Sequence, residues 1–502
     1  MQPFPAWRPD SFSLSTGFAS DVSGVLPAAG GWGPWGALEA LSAAVAAAVR
    51  GAFIARTSAG AAVIFAGTAT KLYKYASASS WTQVTRGIGT SVDDYALATD
   101  NSWVFDQFGD YVIAVNGVDE PQVFTLASST EFADLGGSPP VGAAGVKVVG
   151  DHVWLFNFTT ALGPSGIVPS GNVQIQWSGF RDHDYWTLGE KSSDFATFPA
   201  GGFVMGCTTQ LAGLVFLERA IWRYVKDPIK VFDFAPVQEE QGTPSPHSIV
   251  QHEGDAYFWG TDGFCAVGAN GVRQIGNEWV NDWFLDNVNQ TRLKTIIGAL
   301  DPVKMRVFWI YPDGSNSSSY TRNGIICFDM LNQERPWSKA AIEAEFIISG
   351  AVPGATLSDL ASLYTTLGGV PFPIGSDAWL GGAPRLAVFD GSHKFATFTG
   401  NGVEATAETA EFMPLPGQRF YVNGFRPVCD SAAATGFVSV AERPQTAVTP
   451  KAPASMTSSG LIPARASGKV LKVSMTVPAG ETWSFLSGVD FMDGDLVPDG
   501  VR

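Results

Sequence analysis

The sequence is poor in charged residues, cysteine and long apolar runs, and these shortages limit the classes of protein to which it could belong. Only 16% of the 502 residues are Asp, Glu, Lys or Arg, so we expect neighbouring subunits to cover part of the surface. The four cysteines are widely spaced, which argues against a disulfide framework or a zinc knuckle and favours a reducing cytoplasm. No apolar run reaches the roughly 18 residues of a membrane helix, and the first residues lack a signal-peptide pattern.

Positive charge is also scarce. The chain has 31 basic and 47 acidic residues, for a formal net charge of −16, and no run rich in Lys or Arg. Proteins that bind nucleic acid tightly neutralise its phosphates with clustered cations, so the charge balance argues against a tight nucleic-acid binder. An acidic wall would still let a duplex slide past without sticking, although the same charge could serve only to keep a large protein soluble.

Motifs of common catalytic and metal sites are missing as well. The sequence has no phosphate-binding loop, no His-Glu-x-x-His, no Gly-x-Ser-x-Gly and no paired-cysteine zinc pattern. The only dense polar cluster is Arg181-Asp182-His183-Asp184, where we expect a charged turn because neighbours on an extended chain point to alternating faces. We therefore predict a protein that is not an enzyme, with no catalytic, cofactor-binding or metal-binding residues.

A repeated hairpin signal is the main positive feature of the chain. Gly109-Asp110, Gly150-Asp151 and Gly254-Asp255 each precede a short apolar strand pattern, and such pairs favour tight turns. The first two pairs lie 41 residues apart, and 104 residues separate the second from the third. A period of about 40 to 50 residues with several strands per unit is typical of a β-propeller.

Turn and strand patterns recur where this period places them, which predicts an all-β protein. We expect a β-propeller-like domain of six or seven blades over residues 51–400 and a C-terminal β-sandwich or platform domain over residues 401–502. Residues 1–50 are predicted to be an extended arm. A short helix is expected at Leu38–Val49, because Ala and Leu are strong helix formers.

Three insertions interrupt the propeller pattern. Residues 157–171 and 311–323 are rich in turn-forming residues and are predicted to be loops, whereas Thr356–Leu367 has apolar residues at helical spacing. Long loops on a rigid scaffold often carry function. The candidate channel or partner-contact residues at the ends of the two loops are Asn157, Gly171, Tyr311 and Asn323.

Three tryptophans of the N-terminal arm need an apolar surface to lie on. That surface could belong to the sheets of the same subunit or to a neighbouring subunit. The candidate inter-subunit residues are Trp7, Trp32 and Trp35.

Several stretches, in this order along the chain, resemble tailed-phage proteins of the packaged-DNA stabilisation, or tail-hub and tail-nozzle, family. None of the stretches is catalytic, and together they extend over most of the chain. They are Trp7-Arg8-Pro9-Asp10, residues 23–27, Gly33-Pro34-Trp35, residues 63–68, Lys71-Leu72-Tyr73, Trp177-Ser178 before Asp182, residues 386–390, and Thr409-Ala410-Glu411 leading to Arg426-Pro427.

The resemblance implies a non-enzymatic structural protein of the phage tail, made in the cytoplasm of the host bacterium. It would form a ring, expected to be a homohexamer, around the DNA channel, retain packaged DNA and let it pass at infection. The implied partners are other copies of the chain, tail adaptor or head-tail connector proteins, tail fibre or spike proteins, and DNA bound without sequence specificity. No cofactor is implied.

A carbohydrate-binding or carbohydrate-cleaving propeller is the alternative, as a receptor-binding lectin or a depolymerase. Propellers also house sialidases, but the nearest stretch to their Asp-box, residues 178–186, lacks its Gly and its spacing. The 16 Trp and 11 Tyr residues could stack on sugar rings, although most lie in strand patterns that indicate core positions. The 47 acidic residues leave a pair of catalytic carboxylates open.

Overall fold

The computed structural model describes residues 2–11, 17–87, 94–163, 170–210, 212–316, 320–351, 361, 384–444, 452–492 and 494–499. The predicted all-β class is confirmed, since these residues form 41 strands, one α-helix at Asn281–Asn287 and three short 3₁₀ helices. None of the described helices is long and apolar enough to cross a membrane. The 3₁₀ helices are Gly171–Val173, Pro246–Ser248 and Gln290–Thr295.

Seven antiparallel sheets of four strands each form the blades of the described propeller, which selects the larger of the two predicted numbers. Blades 1 to 4 consist of Ala52–Arg56, Ala62–Gly67, Leu72–Ser77 and Ser80–Gln83; Val104–Phe108, Tyr111–Val115, Gln122–Thr125 and Ala133–Asp134; Gly145–Val149, His152–Phe156, Gln174–Trp177 and Asp194–Thr197; and Val204–Cys207, Ala212–Leu217, Ile221–Asp227 and Val231–Gln238. Blades 5 to 7 consist of Val250–His252, Asp255–Gly260, Gly263–Gly268 and Gly271–Gln274; Ile297–Asp301, Arg306–Tyr311, Gly324–Asp329 and Trp337–Ala340; and Ala344–Ala351, Pro384–Asp390, Lys394–Thr397 and Glu39–Ala44.

The Gly-Asp pairs all lie at the turn between the two innermost strands of a blade, but the three turns do not share one register. Gly109 and Gly150 take positive φ angles of 59° and 60° in two-residue turns, as the sequence predicts. In blade 5 the turn is shifted by one residue. Its loop is Glu253-Gly254, Glu253 has a φ of 49°, and Asp255 already belongs to the strand.

The ring is closed by a strand from the other end of the chain. Glu39–Ala44 pairs antiparallel with Lys394–Thr397 as the outermost strand of blade 7, so the predicted helix at Leu38–Val49 is wrong. Backbone pairing to an otherwise open blade edge outweighs the modest helix propensity of Ala and Leu. The innermost strand of blade 7 also contacts that of blade 1, which completes the circle.

The platform has two sheets, and both ends of the chain contribute to it. Its seven-stranded sheet contains Gln2–Pro3, Val25–Ala28, Gly31–Pro34, Phe420–Cys429, Ile462–Gly468, Leu486–Asp490 and Leu496–Pro498. Its six-stranded sheet contains Ala6–Trp7, Phe18–Ser23, Ala405–Thr409, Thr435–Ala441, Ala454–Ser455 and Val470–Val477. The arm predicted for residues 1–50 is therefore divided between the platform and blade 7, because its short strands need partners that only the two C-terminal parts provide.

The three arm tryptophans lie inside this chain's own cores. Trp7 and Trp32 have no exposed surface and Trp35 is 1% exposed. Trp7 packs edge-on against Trp283, Trp35 packs edge-on against Phe308, and Trp32 donates a hydrogen bond to a backbone carbonyl. Their assignment as inter-subunit contacts is wrong, because burial on this subunit's own sheets leaves no side-chain surface for a neighbour.

Polar contacts fasten the platform to blades 5 and 6. The Arg8 guanidinium is 2.7 Å from the Glu278 carboxylate, and the Asp10 carboxylate accepts the backbone N–H of Trp283 at 2.8 Å. On blade 6, the Lys339 ammonium is 2.7 Å from a carboxylate oxygen of Asp21. These contacts, together with a shared apolar core, join the two parts into one body. The helix predicted at Thr356–Leu367 lies, apart from Ala361, outside the described residues.

Candidate functional site

A cavity of about 400 Å³ lies on the propeller axis. All seven innermost strands, or the residues that lead into them, contribute to its wall. Small-molecule sites in proteins commonly occupy about 300–1,000 Å³ and combine apolar walls with a few polar groups. The axial cavity is therefore large enough for a small ligand.

The wall of this cavity divides into an apolar and a polar part. Phe53 and Ile54 of blade 1 and Phe346 and Ile348 of blade 7 provide apolar surface. The titratable side chains Lys147, Cys207 and His247 come from blades 3 to 5, where Gln251 accompanies them, and Ser349 of blade 7 adds a hydroxyl. An elongated ligand could thus place a polar end and an apolar end against different walls.

A second cavity of about 290 Å³ adjoins the first. The two share five wall residues, including Met205 and His247, so His247 stands where they meet. The second cavity is lined by loops that lead into the innermost strands and by loops between the second and third strands of blades 2 to 4, and it carries Asp100, Glu218 and Lys294. It forms a vestibule beside the axial cavity with both acidic and basic side chains on its wall.

His247 and Lys147 are the basic groups of the axial wall. Burial, followed by the positive charges of Arg322 and Lys147, lowers the pKa of His247 from 6.5 to about 4. Its imidazole is consequently neutral at pH 7. Burial raises the pKa of the nearby Cys207 thiol to about 12, so Cys207 is a protonated thiol and not a nucleophile.

Two buried arginines connect neighbouring parts of the propeller by donating hydrogen bonds to backbone carbonyls. Arg322 donates to the backbone carbonyls of Thr295, Tyr320 and Glu345, and thereby ties blade 6 to blade 7. Arg50 donates to three carbonyls of residues 98–101 in the segment that leads to blade 2. Burial, with Arg292 and Arg50 nearby, lowers the pKa of Arg322 to about 9, so it stays charged at neutral pH.

The loop residues predicted from the sequence are not brought together. Asn157 lines the second cavity, where its side-chain oxygen accepts a hydrogen bond from Asn172 at 2.7 Å. Gly171 packs against Phe158 so closely that a Cβ atom would lie 2.4 Å from that ring. Of these two, Asn157 alone reaches the axial space.

The two candidate residues at the ends of the other predicted loop, Tyr311 and Asn323, belong to blade 6. Tyr311 is 4% exposed and packs edge-on against Phe284, and burial raises the pKa of its phenol. The side-chain oxygen of Asn323 accepts the backbone N–H of Asp313 at 2.9 Å and holds the loop in place. Neither residue lies on the wall of either axial cavity.

The polar cluster at residues 181–184 is a charged turn, as predicted. Arg181 pairs with Asp151 at 3.1 Å, Asp182 pairs with Lys191 at 3.0 Å, and the His183 ring stacks on Tyr111 at 3.8 Å. No group of three or more His, Cys, Asp or Glu side chains that could hold a metal occurs in the part of the chain that the structure describes.

Sequence reasoning missed the axial residues. Lys147 is the only charged residue in the strand Gly145–Val149, and a lysine inside an apolar strand was the available signal. His247 lies in a 3₁₀ turn, 100 residues further along the chain, and no sequence pattern links the two. Only ring closure places them on the same wall.

No family model matches the sequence, and no curated protein matches it either. Solved structures resemble it at low identity. BamB from Moraxella catarrhalis is 8% identical, with 75% of this chain and 92% of that chain covered and a TM-score of 0.36. The N-terminal domain of Nup159 is 7% identical, with 72% and 95% covered and a TM-score of 0.37. The chain spans 47% of the extracellular domain of a proposed one-component system from B. thetaiotaomicron, which is 11% identical over 61% of this chain, with a TM-score of 0.31. These likenesses are too distant to transfer a function.

Proposed function

We propose that the protein is a structural component of a phage tail, a nozzle or hub subunit that assembles into a ring around the DNA channel. The observation that carries the proposal is the two-sheet platform, built from both chain ends and fastened to blades 5 and 6. A propeller with an attached platform of strands is the architecture that the sequence resemblance implies. The ring would retain packaged DNA and let it pass at infection.

The stretches that carry the resemblance support this assignment through their positions. Trp7, Arg8 and Asp10 form the contact between the platform and blades 5 and 6. Residues 409 and 426–427 lie in or beside platform strands, and residues 386–390 lie in blade 7, next to the strand that bonds to the N-terminal closing strand. The matching residues thus build the body of the molecule and not the wall of the axial cavity.

The platform also offers a surface suited to subunit contact. Tyr421 and Val497 face each other across two paired strands and are 37% and 41% exposed. Val497 belongs to a short strand at the edge of its sheet, and exposed apolar edges tend to pair with another chain. The Arg419–Asp499 pair beside them provides a polar rim.

Particle composition and mass test the proposal. We expect the chain in purified virions, and a ring of about six times the chain mass of 53.2 kDa by native mass spectrometry or electron microscopy. Val497→Glu should shift the ring towards monomers, because it places a charge in the contact. Ile229→Glu is the matched control, since Ile229 is 92% exposed on a turn of blade 4.

Two results would count against the tail assignment. A protein that is monomeric at every concentration and absent from purified particles would refute the tail assignment. Release of reducing sugar from host capsular polysaccharide by the purified chain would instead support the depolymerase alternative.

A further inference from the structure

Lys147 and His247 present basic groups to the axial cavity without a partner from the protein. Among the described residues, neither side chain takes part in an ion pair or a hydrogen bond. The carboxylate on the neighbouring innermost strand is that of Asp106, and it accepts the backbone N–H of Val148 at 2.8 Å. Among the described residues the Lys147 ammonium makes no ion pair, so its positive charge favours an anion over a cation in the cavity.

The charge of the surroundings strengthens this preference. The whole chain carries −16, yet the groups that act on His247 are Lys147 and Arg322, both positive. Lys294 lies in the adjoining cavity, where Asp100 and Glu218 also line the wall. Asp100 is already paired with Arg292 at 3.3 Å, and Glu218 accepts the backbone N–H of Phe203 at 3.2 Å.

The opposite wall selects for an apolar body. Phe53, Ile54, Phe346 and Ile348 line the same cavity and offer no charge. An inorganic anion would leave this surface against water, whereas an organic anion would cover it and gain roughly 25 cal/mol for each Å² of apolar surface removed from water. The volume of about 400 Å³ admits a small aromatic or branched carboxylate.

We propose that the axial cavity binds a small organic monocarboxylate, with its carboxylate between Lys147 and His247 and its apolar body against the blade 1 and blade 7 wall. Lys147 donates a charge-assisted hydrogen bond, and His247 donates a second from its ring N–H. The site is independent of the ring assembly proposed above.

Calorimetric titration of the full-length protein tests the site, with phenylacetate as the probe and phenylacetamide as its neutral analogue. Phenylacetate should bind saturably at one site per chain, and phenylacetamide should show no saturable binding. Lys147→Met keeps the length of the side chain but removes its charge, and it should weaken phenylacetate binding by about 10-fold or more. Lys226→Met is the matched control, because Lys226 is an exposed lysine on blade 4, and it should leave binding unchanged.

Four results would overturn the inference. They are no saturable binding of phenylacetate at millimolar concentration, equal binding of phenylacetamide, unchanged affinity in a folded Lys147→Met variant, and binding of inorganic phosphate as tight as that of phenylacetate. If Lys147→Met does not fold by circular dichroism, the comparison of carboxylate and amide on the unaltered protein still decides.

Discussion

One buried hydroxyl contributes a hydrogen bond to the strand pairing that closes the propeller. The pairing between the N-terminal strand and Lys394–Thr397 is irregular at Phe395, so the ladder leaves the Phe395 N–H without a backbone partner. The Ser42 Oγ accepts that N–H at 3.0 Å, and both residues are buried, with 1% and 0% of their surface exposed. Water cannot readily replace the hydroxyl at such a position.

Ser42→Ala should therefore destabilise the protein by about 1–3 kcal/mol, which is the usual cost of an unsatisfied buried donor. The alanine fits the space of the serine, so cavity formation adds little. Urea unfolding followed by tryptophan fluorescence should show a lower midpoint. Hydrogen exchange should show faster exchange of the Phe395 amide than in the unaltered protein.

Ser128→Ala is the matched control, because Ser128 is exposed and only its backbone N–H is hydrogen-bonded. Its unfolding free energy should stay within about 0.5 kcal/mol of the unaltered protein. If Ser42→Ala were equally neutral and the Phe395 amide kept its protection, the assignment of Ser42 as the closing hydrogen-bond acceptor would be refuted.

Two further predictions concern the core and the response to acid. Gly67→Ala should destabilise the protein by about 1–3 kcal/mol, because the added Cβ would lie 2.4 Å from the Trp103 ring. Gly254→Ala is the control and should be nearly neutral, because nothing lies within 4 Å of a Cβ at that position. Equal melting temperatures for the two variants would contradict the tight packing at Gly67. Burial lowers the folded-state pKa of both His152 and His247 below 6.5, so the unfolded chain binds their protons more readily and stability should fall as the pH drops from about 6.5 towards 4. His247→Gln should reduce the loss between pH 7 and pH 5 by about 1–2 kcal/mol in urea titrations, and an unchanged pH dependence would contradict a neutral buried His247.

Local sequence patterns determined the blades. Turn pairs such as Gly109-Asp110 and apolar alternation depend on φ preference and side-chain period, which act over a few residues. The strands of blades 1, 2, 4 and 6 accordingly lie where the period places them. The shifted turn at Glu253-Gly254 shows the limit of this reasoning, since a one-residue shift is decided by strand register and not by the turn residues alone.

Only the tertiary structure decided how the chain ends are used. Glu39–Ala44 has the composition of a helix but forms a strand, because the open edge of blade 7 supplies hydrogen bonds that an isolated segment lacks. Trp7, Trp32 and Trp35 are buried within their own subunit. Two of them pack against aromatic residues that are 250 or more residues away in the sequence, and only the tertiary structure brings these partners together.

The scarcity of charge and cysteine follows from composition alone, and the expectation of an all-β repeat protein follows from local turn and strand patterns. The axial site does not, because Lys147 and His247 are brought to one wall by the curvature of seven blades, and curvature is a property of the closed ring. Local chemistry determined which strands form, and packing between distant strands determined which side chains meet.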